Sequence, residues 1–407
     1  MKDKLDFLIV SDLHAHAGDP AHSSSPSLIS TNSLYQGLNP IRAIPSLLKK
    51  ESLSADWIVS PGDLGDRAEP GAQRFAWTEL AWLRDKIAAE LLIGTAGNHD
   101  LDSRRVFPDY DLKGTLQLLD PSFPIDLSCF ENGDGVFGDR YWSRNFVVVP
   151  FLAYDCTLVI VNSCAFHGYT SEETSVAEHT RGKLSAVTRD AIVKAVNTTA
   201  TRLNVLLMHH HPIKLPFVPD GNSVMVGGGE LISVLKSTKR QWLVIHGHQH
   251  YPHLTYADAD TFAPVVLSAG SVAARTFPVL GTHPRNQIHH VTIPLSRMDA
   301  TGSDLLGQVR SWSWIQAMGW QQAAADAGIP YKAGFGYRFD VKQIRDEILD
   351  ITRANDLVDW SQIVNKYPRL EYLVPEHLQS LLHLIEQGGV NIERDQYGLP
   401  RRLEYRA

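Results

Sequence analysis

The chain has 407 residues, 43% hydrophobic and 20% charged, which is more than one simple core needs; two units, or one large unit with an appendage, are expected. Its 38 basic residues against 45 acidic ones leave a net charge of −7, which argues against a chain-wide field for nucleic acid or membrane surfaces. Cys129, Cys156 and Cys164 form no paired framework and no CxxC, so they read as reduced core residues of a cytoplasmic protein.

The opening MKDKLDFLIV has a short apolar core and no small-residue cleavage site, so DFLIV reads as a first strand rather than a leader. Residues 17–39, rich in Gly, Ser, Pro and Asn, read as an extended loop, with His22 on a flexible rim. Helical spacing near 40–50 precedes the strand DWIVS, and helical spacing over 73–90 precedes the strand AELLIGTA. FVVVPF and TLVIVN read as two buried strands. Pro150, Asp155 and Asn162 interrupt this most apolar stretch, which excludes a membrane span. NVLLM, QWLVI and APVVLSAG follow as strands, with helices over 184–197 and 229–237. Strand–helix alternation with β-branched runs implies an α/β layered sheet covered on both faces.

After about residue 300 the texture changes. DLLGQVRSWSW reads as a strand, with Trp312, Trp314 and Trp320 as packing residues. GWQQAAADAG, VKQIRDEILDITRAN, DWSQIVNKY and PEHLQSLLHLIEQ read as helices, and VNIERDQYGLPRRLEY as a hairpin. This places one unit at 1–318 and a small, mainly helical accessory unit at 319–407. Apolar faces at Ile344, Ile348 and Ile351, and at Leu378, Leu381, Leu382 and Ile385, must be buried on the larger unit, on each other or on a second chain. The hairpin carries Arg394, Arg401, Arg402 and Arg406, opposed by Glu393, Asp395 and Glu404. Protein association or substrate selection is therefore favoured over a nucleic-acid arm.

Nine of the 18 histidines fall in four short stretches, DLHAH, GNHD, MHHHP and HGHQH, each at the C-terminal end of a predicted strand. SPGDLGDR, after DWIVS, adds Asp63 and Asp66. That edge of an α/β sheet is where ligands sit. Carboxylate, imidazole and amide donors without cysteine suit divalent Mn, Fe, Ni or Zn, and argue against a structural zinc site. Two such ions ~3.5–4 Å apart form a clamp for displacement at phosphorus.

The ordered series DLH, GD, GNHD, MHHHP and GHQH closely resembles the calcineurin-like metallophosphoesterases. The resemblance covers about three-quarters of the chain. It implies a four-layer α/β/β/α sandwich with a dinuclear site at the strand ends. It also implies that Asp12, His14 and His250 hold one ion, that Asp63 bridges, and that Asn98, His209 and His248 hold the other. His99 matches the residue that contacts phosphate and protonates the leaving oxygen. The expected ions are Mn2+ or Fe2+, with Zn2+, Ni2+ and Co2+ as further candidates.

The departures are informative. Asp66 stands where purple acid phosphatases carry a metal-binding tyrosine, so no tyrosinate–iron site is implied. Asp66 and Arg67 match the Asp and Arg of the Ser/Thr phosphoprotein phosphatases, where the Asp orients the catalytic His and the Arg binds phosphate; alternatively, Asp66 is a helix N-cap and Arg67 a solvated helix residue. Those phosphatases carry an Arg before GNH, where this chain has Ala96, and they lack a pair such as His248 and His250. HHHP with GHQH looks more like the cyclic-nucleotide-type phosphodiesterases. His16, His210 and His211 read either as outer supports of the ligands or as substrate contacts, and His246 as a buried strand residue. The expected function is hydrolysis of phosphodiesters, of nucleotides or other small molecules. The alternatives are a nuclease acting on DNA or RNA with a partner protein, a phosphoprotein phosphatase, and a non-catalytic metal-stabilised scaffold.

Overall fold

The computed structural model describes residues 2–18, 27–102, 111, 113–127, 136–167, 181–216, 223–274, 286–297, 305–338 and 341–405. Cys129, His22 and Arg406 lie outside the described residues.

Strands β1 (Leu5–Ile9), β2 (Trp57–Ser60) and β3 (Leu91–Gly94) are buried at every position, as suits parallel strands covered on both faces. They pair in parallel in the order β1–β2–β3. The second sheet begins with β4 (Phe146–Phe151), β5 (Cys156–Val161), β6 (Leu203–Leu207) and β7 (Gln241–His246). It ends with β9 (Val265–Ser268) and then β8 (His253–Tyr256) at the edge. On the other side of β1 the first sheet continues antiparallel through β10 (Gln287–Ile293), β11 (Gly307–Ile315) and β12 (Gly319–Gln322), and β13 (Lys332–Phe335) also pairs with β11.

The helices of this part are α1 (Ile44–Glu51), α2 (Pro70–Ile87), α3 (Gly114–Gln117), α4 (Val136–Arg144), α5 (Ala186–Val196) and α6 (Gly228–Ser237). Alternation along the second sheet shows the layering. Leu158, Ile160, Val205, Leu207, Leu243 and Ile245 join the core shared with the first sheet. Their neighbours Val159, Val161, Leu206 and Val244 pack with Ile192 and Val196 of α5 and Leu231 and Leu235 of α6. Leu47, Trp77 and Leu80 of α1 and α2 belong to the same core as Phe7, Ile58 and Leu92. The result is the expected α/β/β/α sandwich.

The C-terminal part runs α7 (Val341–Asn355), β14 (Leu357–Asp359), α8 (Trp360–Lys366), α9 (Pro375–Gln387), β15 (Val390–Arg394) and β16 (Pro400–Tyr405). Its strands form a separate sheet in the order β14–β16–β15. The apolar faces of its helices bury one another: Ile344, Ile348, Leu381, Leu382 and Ile385 share a core with Val358, Ile363 and Leu403.

One element is corrected. The expected helix GWQQAAADAG is instead β12 followed by turns. Trp320 packs edge-on against Trp314 across the β11–β12 pair at 5.2 Å, and its indole N–H donates to the Pro40 carbonyl at 3.0 Å. Gly319, at φ 74°, closes the turn between these strands. Those tertiary contacts outweigh the helix preference of three alanines. β8, β10 and β13 were not among the strands expected from the sequence.

Candidate metal centre

The two sheets bring their C-terminal strand ends to one place. Loops after β1, β2 and β3 deliver Asp12, His14, Asp63 and Asn98; loops after β6 and β7 deliver His209, His248 and His250. All seven side chains are buried, between 0% and 8% exposed, where polar groups need partners.

The loops bend sharply to do this. Asp12, His14, Asp63, His248 and His250 have φ of 51°, 46°, 54°, 85° and 51°. Residues with a Cβ hold that conformation at a cost of ~1–3 kcal/mol each, and such strain gathers at functional sites. Backbone bonds fix the turns: Asp12 N donates to Gly62 O at 3.1 Å and His14 N to Asp63 O at 3.0 Å. A Cβ on Gly97 would collide with the Asp63 carboxylate, and one on Gly247 with that of Asp12.

The donor atoms form two neighbouring sets. In the first, His14 Nε2 and His250 Nε2 stand 2.9 Å apart, and His250 Nε2 lies 3.6 Å from Asp12 Oδ1. In the second, Asn98 Oδ1 lies 2.9 Å from both His209 Nε2 and His248 Nδ1. Asp63 stands between them, its Oδ2 3.4 Å from Nε2 of both His14 and His209. His209 Nδ1–H donates to Pro61 O at 2.8 Å, which leaves Nε2 as the lone-pair nitrogen facing the centre. Buried histidine and aspartate groups able to hold an ion include Asp12–His14–His250 and Asp12–Asp63–His209.

Without cations the site shares protons uneasily. Burial works to raise the Asp63 carboxyl, but His209, His99 and His14 outweigh it and hold it well below the usual carboxylate range. Burial, helped by Asp63, pushes Asp12 up to about 7. Burial keeps His14 neutral, far below its ordinary value. His209 rises to about 9 despite burial, because Asp63 is beside it. Metal binding releases such protons.

Beside the two sets, His99 Nδ1–H donates to Asp66 Oδ1 at 2.9 Å, and the His99 ring meets the His14 ring edge-on at 4.6 Å. Asp66 is therefore not a helix cap; α2 starts at Pro70 with Glu69 at its N-cap position. Arg67 is half-exposed, its Nε 3.9 Å from Asp66 Oδ2. His16 is used up inside its own loop: Gly18 N–H donates to its Nδ1, and its Nε2–H donates to Ser27 O, both at 3.1 Å. His210 is pinned by Ser163 Oγ at 2.9 Å, its ring 4.5 Å from that of His248. His211 stacks against His248 from 5.8 Å, with its Nε2 3.2 Å from Ser223 Oγ. His246 ends β7, fully buried, its Nδ1–H donating to Gly247 O.

The sequence reading passed over Asp100. Its Oδ1 accepts from Leu64 N at 2.8 Å and Gly65 N at 3.2 Å, and its Oδ2 from Gly97 N at 2.8 Å. It ties the Asp63 loop to the Asn98 loop. The signal was in view as the fourth letter of GNHD. Ser11 and Ser271 were missed likewise: their hydroxyls hold the carboxylate and the carbonyl of Asp12.

A family model described as calcineurin-like phosphoesterase matches residues 5–252, and a second, described as wHTH-Calcineurin_assc, matches residues 333–384. No curated protein matches the sequence. Several solved structures are similar in fold. A dimetal phosphatase from Danio rerio is 15% identical at a TM-score of 0.45, over 75% of this chain and 95% of that one. A purple acid phosphatase from yellow lupin (Lupinus luteus) is 13% identical at 0.43, over 76% of this chain and 52% of that one. The calcineurin-like phosphoesterase YfkN from Bacillus subtilis is 10% identical at 0.36, over 78% and 87%. Among the described residues no helix is long and apolar enough to cross a membrane.

Proposed function

The chain belongs to the calcineurin-like phosphoesterases, and on that premise we propose that it is a dinuclear, metal-dependent phosphodiesterase acting on nucleotides or other small phosphodiesters. The observation that carries this reading is the position of Asp63, whose Oδ2 is equidistant, at 3.4 Å, from an imidazole of each donor set. Asp12, His14 and His250 would hold one ion, Asn98, His209 and His248 the other, and Asp63 both. Oxygen and imidazole donors favour Mn2+ or Fe2+, with Zn2+, Ni2+ and Co2+ as further candidates. Two ions so held supply Lewis acidity to phosphoryl oxygens and lower the pKa of water.

His99 holds the proton for the leaving oxygen. Asp66 fixes its tautomer and ring orientation from the Nδ1 side. Arg67, half-exposed beside Asp66, would meet a phosphoryl oxygen in this reading. Diesters are favoured over monoesters because Ala96, whose N–H donates to Tyr141 Oη at 2.9 Å, brings no guanidinium to the position before GNHD. A dianionic monoester needs more positive charge than a monoanionic diester.

We read residues 341–405 as a winged helix, which fits its helix–strand order and the second family match. We place the boundary of the catalytic unit at 336–340 rather than 318, because β12 and β13 complete the first sheet. The second family match, over residues 333–384, is the one observation that favours a nuclease as second reading. Buried free Cys156 and Cys164 support a cytoplasmic setting.

The test is turnover with added Mn2+ on bis-p-nitrophenyl phosphate, p-nitrophenyl phosphate, cyclic nucleotides, and single- and double-stranded DNA. Metal-dependent cleavage with the bis ester preferred is expected. Preference for the monoester would overturn the substrate class, and DNA cleavage would move the nuclease first. No turnover with Mn2+, nor with Fe2+, Zn2+, Ni2+ or Co2+ in its place, would leave a scaffold.

A further inference from the structure

In a helix-turn-helix fold the last helix is the one that enters a nucleic-acid groove, leading with its N-terminal residues. Here that end of α9 is occupied. Glu376 Oε1 lies 3.5 Å from His253 Nε2, and its Oε2 accepts from Thr255 Oγ1 at 3.4 Å. The His377 ring lies 5.6 Å from the Tyr256 ring. The β15–β16 turn is occupied as well: Ala325 N donates to Tyr397 O at 2.8 Å, and a Cβ on Gly398 would stand 3.1 Å from that of Ala325. Between these points Gly334 N donates to Leu373 O at 3.1 Å and Tyr337 N to Tyr372 O at 3.0 Å. The C-terminal unit is seated through backbone as well as side chains.

Charge agrees. Pro375–Gln387 contains no Lys or Arg, and its exposed residues include Glu376 and Glu386. Arg394, Arg401 and Arg402 are paired with Glu386, Glu393 and Asp359 at 3.1, 3.2 and 2.9 Å. A groove-reading surface needs free positive charge.

Both contacts bear on one segment. β8, which α9 touches, begins three residues after His250. Pro252, between them, is wedged: a Cβ on Gly270 would lie 2.5 Å from its Cγ, and one on Gly328 2.9 Å from its Cβ. Gly328 lies in the stretch that starts at Ala325, and the Gln287 amide holds that stretch through Ala327 O and Ile329 O at 3.1 and 3.2 Å. His250 itself sits at φ 51°, a conformation that persists only where its surroundings enforce it.

We propose that the C-terminal unit is a brace in cis. Its third helix and hairpin turn clasp the segment carrying His250 and hold that imidazole in the metal centre. Glu376, His377 and Gly398 are its positioning residues. The proposal rests on the dinuclear reading above.

The test uses full-length protein stripped of metal and titrated with Mn2+. Wild type should bind two ions. Glu376→Ala with His377→Ala should weaken one of them about tenfold, the low end for losing an outer support of a metal ligand, and spare the other. Amide exchange over 250–256 should quicken in the metal-free variant while α7 stays protected. Glu376→Gln should restore both readouts, because its amide oxygen still accepts from Thr255 Oγ1 while its NH2 can donate to His253 Nε2 in the Nδ1–H tautomer. Gly398→Val, which pushes the turn off Ala325, should repeat the weakening. Wild-type affinities at both sites in these variants overturn the brace; a wild type that binds no pair of ions overturns the dinuclear reading instead. Duplex DNA binding that is lost with Arg401→Ala and Arg402→Ala would also overturn the brace, in favour of a nucleic-acid arm.

Discussion

Asp66 Oδ1 accepts from His99 Nδ1–H at 2.9 Å, joining a residue of the β2 loop to one of the β3 loop. The Asp66 side chain is 8% exposed and that of His99 20%, so the pair has a fixed inner end and a reachable outer one. A proton donor to a leaving oxygen needs that combination. His99→Ala should keep two ions by elemental analysis and lose ~10²–10⁴-fold in kcat on an alkoxide leaving group. On nitrophenolate, which leaves unaided, the loss should be much smaller. Asp66→Asn should follow the same pattern more weakly. Equal losses on both leaving groups would move His99 to phosphate binding.

Asp63 stands between the two donor sets, and Asn98 Oδ1 meets both imidazoles of the second. Asp63→Ala should therefore bind neither ion well and show no detectable turnover. Asn98→Ala should lose one ion and its turnover with it. Wild-type turnover of purified Asp63→Ala in Mn2+ would sink the assignment of the centre.

Asp100 makes a different prediction, about construction rather than chemistry. Asp100→Ala strands three buried N–H groups, those of Leu64, Gly65 and Gly97. At ~1–3 kcal/mol per unsatisfied group, the metal-free protein should lose about 3 kcal/mol or more in urea unfolding. Asp100→Asn turns an amide N–H toward Gly97 N–H and should fall between wild type and alanine. A neutral Asp100→Ala would mean that water replaces the carboxylate.

The parts legible in the sequence were those set by local pattern. Runs such as LDFLI and TLVIV show a covered strand without any partner, and the helices of the C-terminal unit show their apolar stripes. The centre was legible because its side chains sit within six residues of a strand end, in short motifs. Asp100 was not: its role appears only when the β2 and β3 loops meet, 36 residues apart in sequence. Nor was β12, whose alanines follow a tryptophan that must first find Trp314 and Pro40. The left-handed backbone at Asp12, His14 and Asp63 likewise has no local sign, since none of them is glycine.

His289 supplies a prediction on pH that is independent of metal. It lies fully buried in β10, its Nε2–H donating to Ala269 O and its Nδ1 accepting from Ser311 Oγ, each at 2.8 Å. Burial lowers it to about 4, although the Ala269 carbonyl favours the charged form. Its unfolded value is near 6.5. Between those values the unfolded chain binds a proton that the folded chain refuses, so stability rises with pH across this window. The contribution is complete above about 6.5 and is lost as pH falls toward 4, at up to about 3 kcal/mol from this one group. Urea unfolding of the metal-free protein at pH 7, 6, 5 and 4.5 measures a total slope of which that loss is one part. The carboxyls of Asp12 and Asp100, pushed up to about 7, act with the opposite sign, so the total slope mixes both. His289→Gln separates them. Its amide can still donate to Ala269 O, and it cannot titrate. The variant should start less stable at pH 7 and lose less on acidification, so the two curves converge as pH falls toward 4. Parallel curves would mean that His289 takes up its proton in the folded state, with the Ser311 hydroxyl turned to accept it.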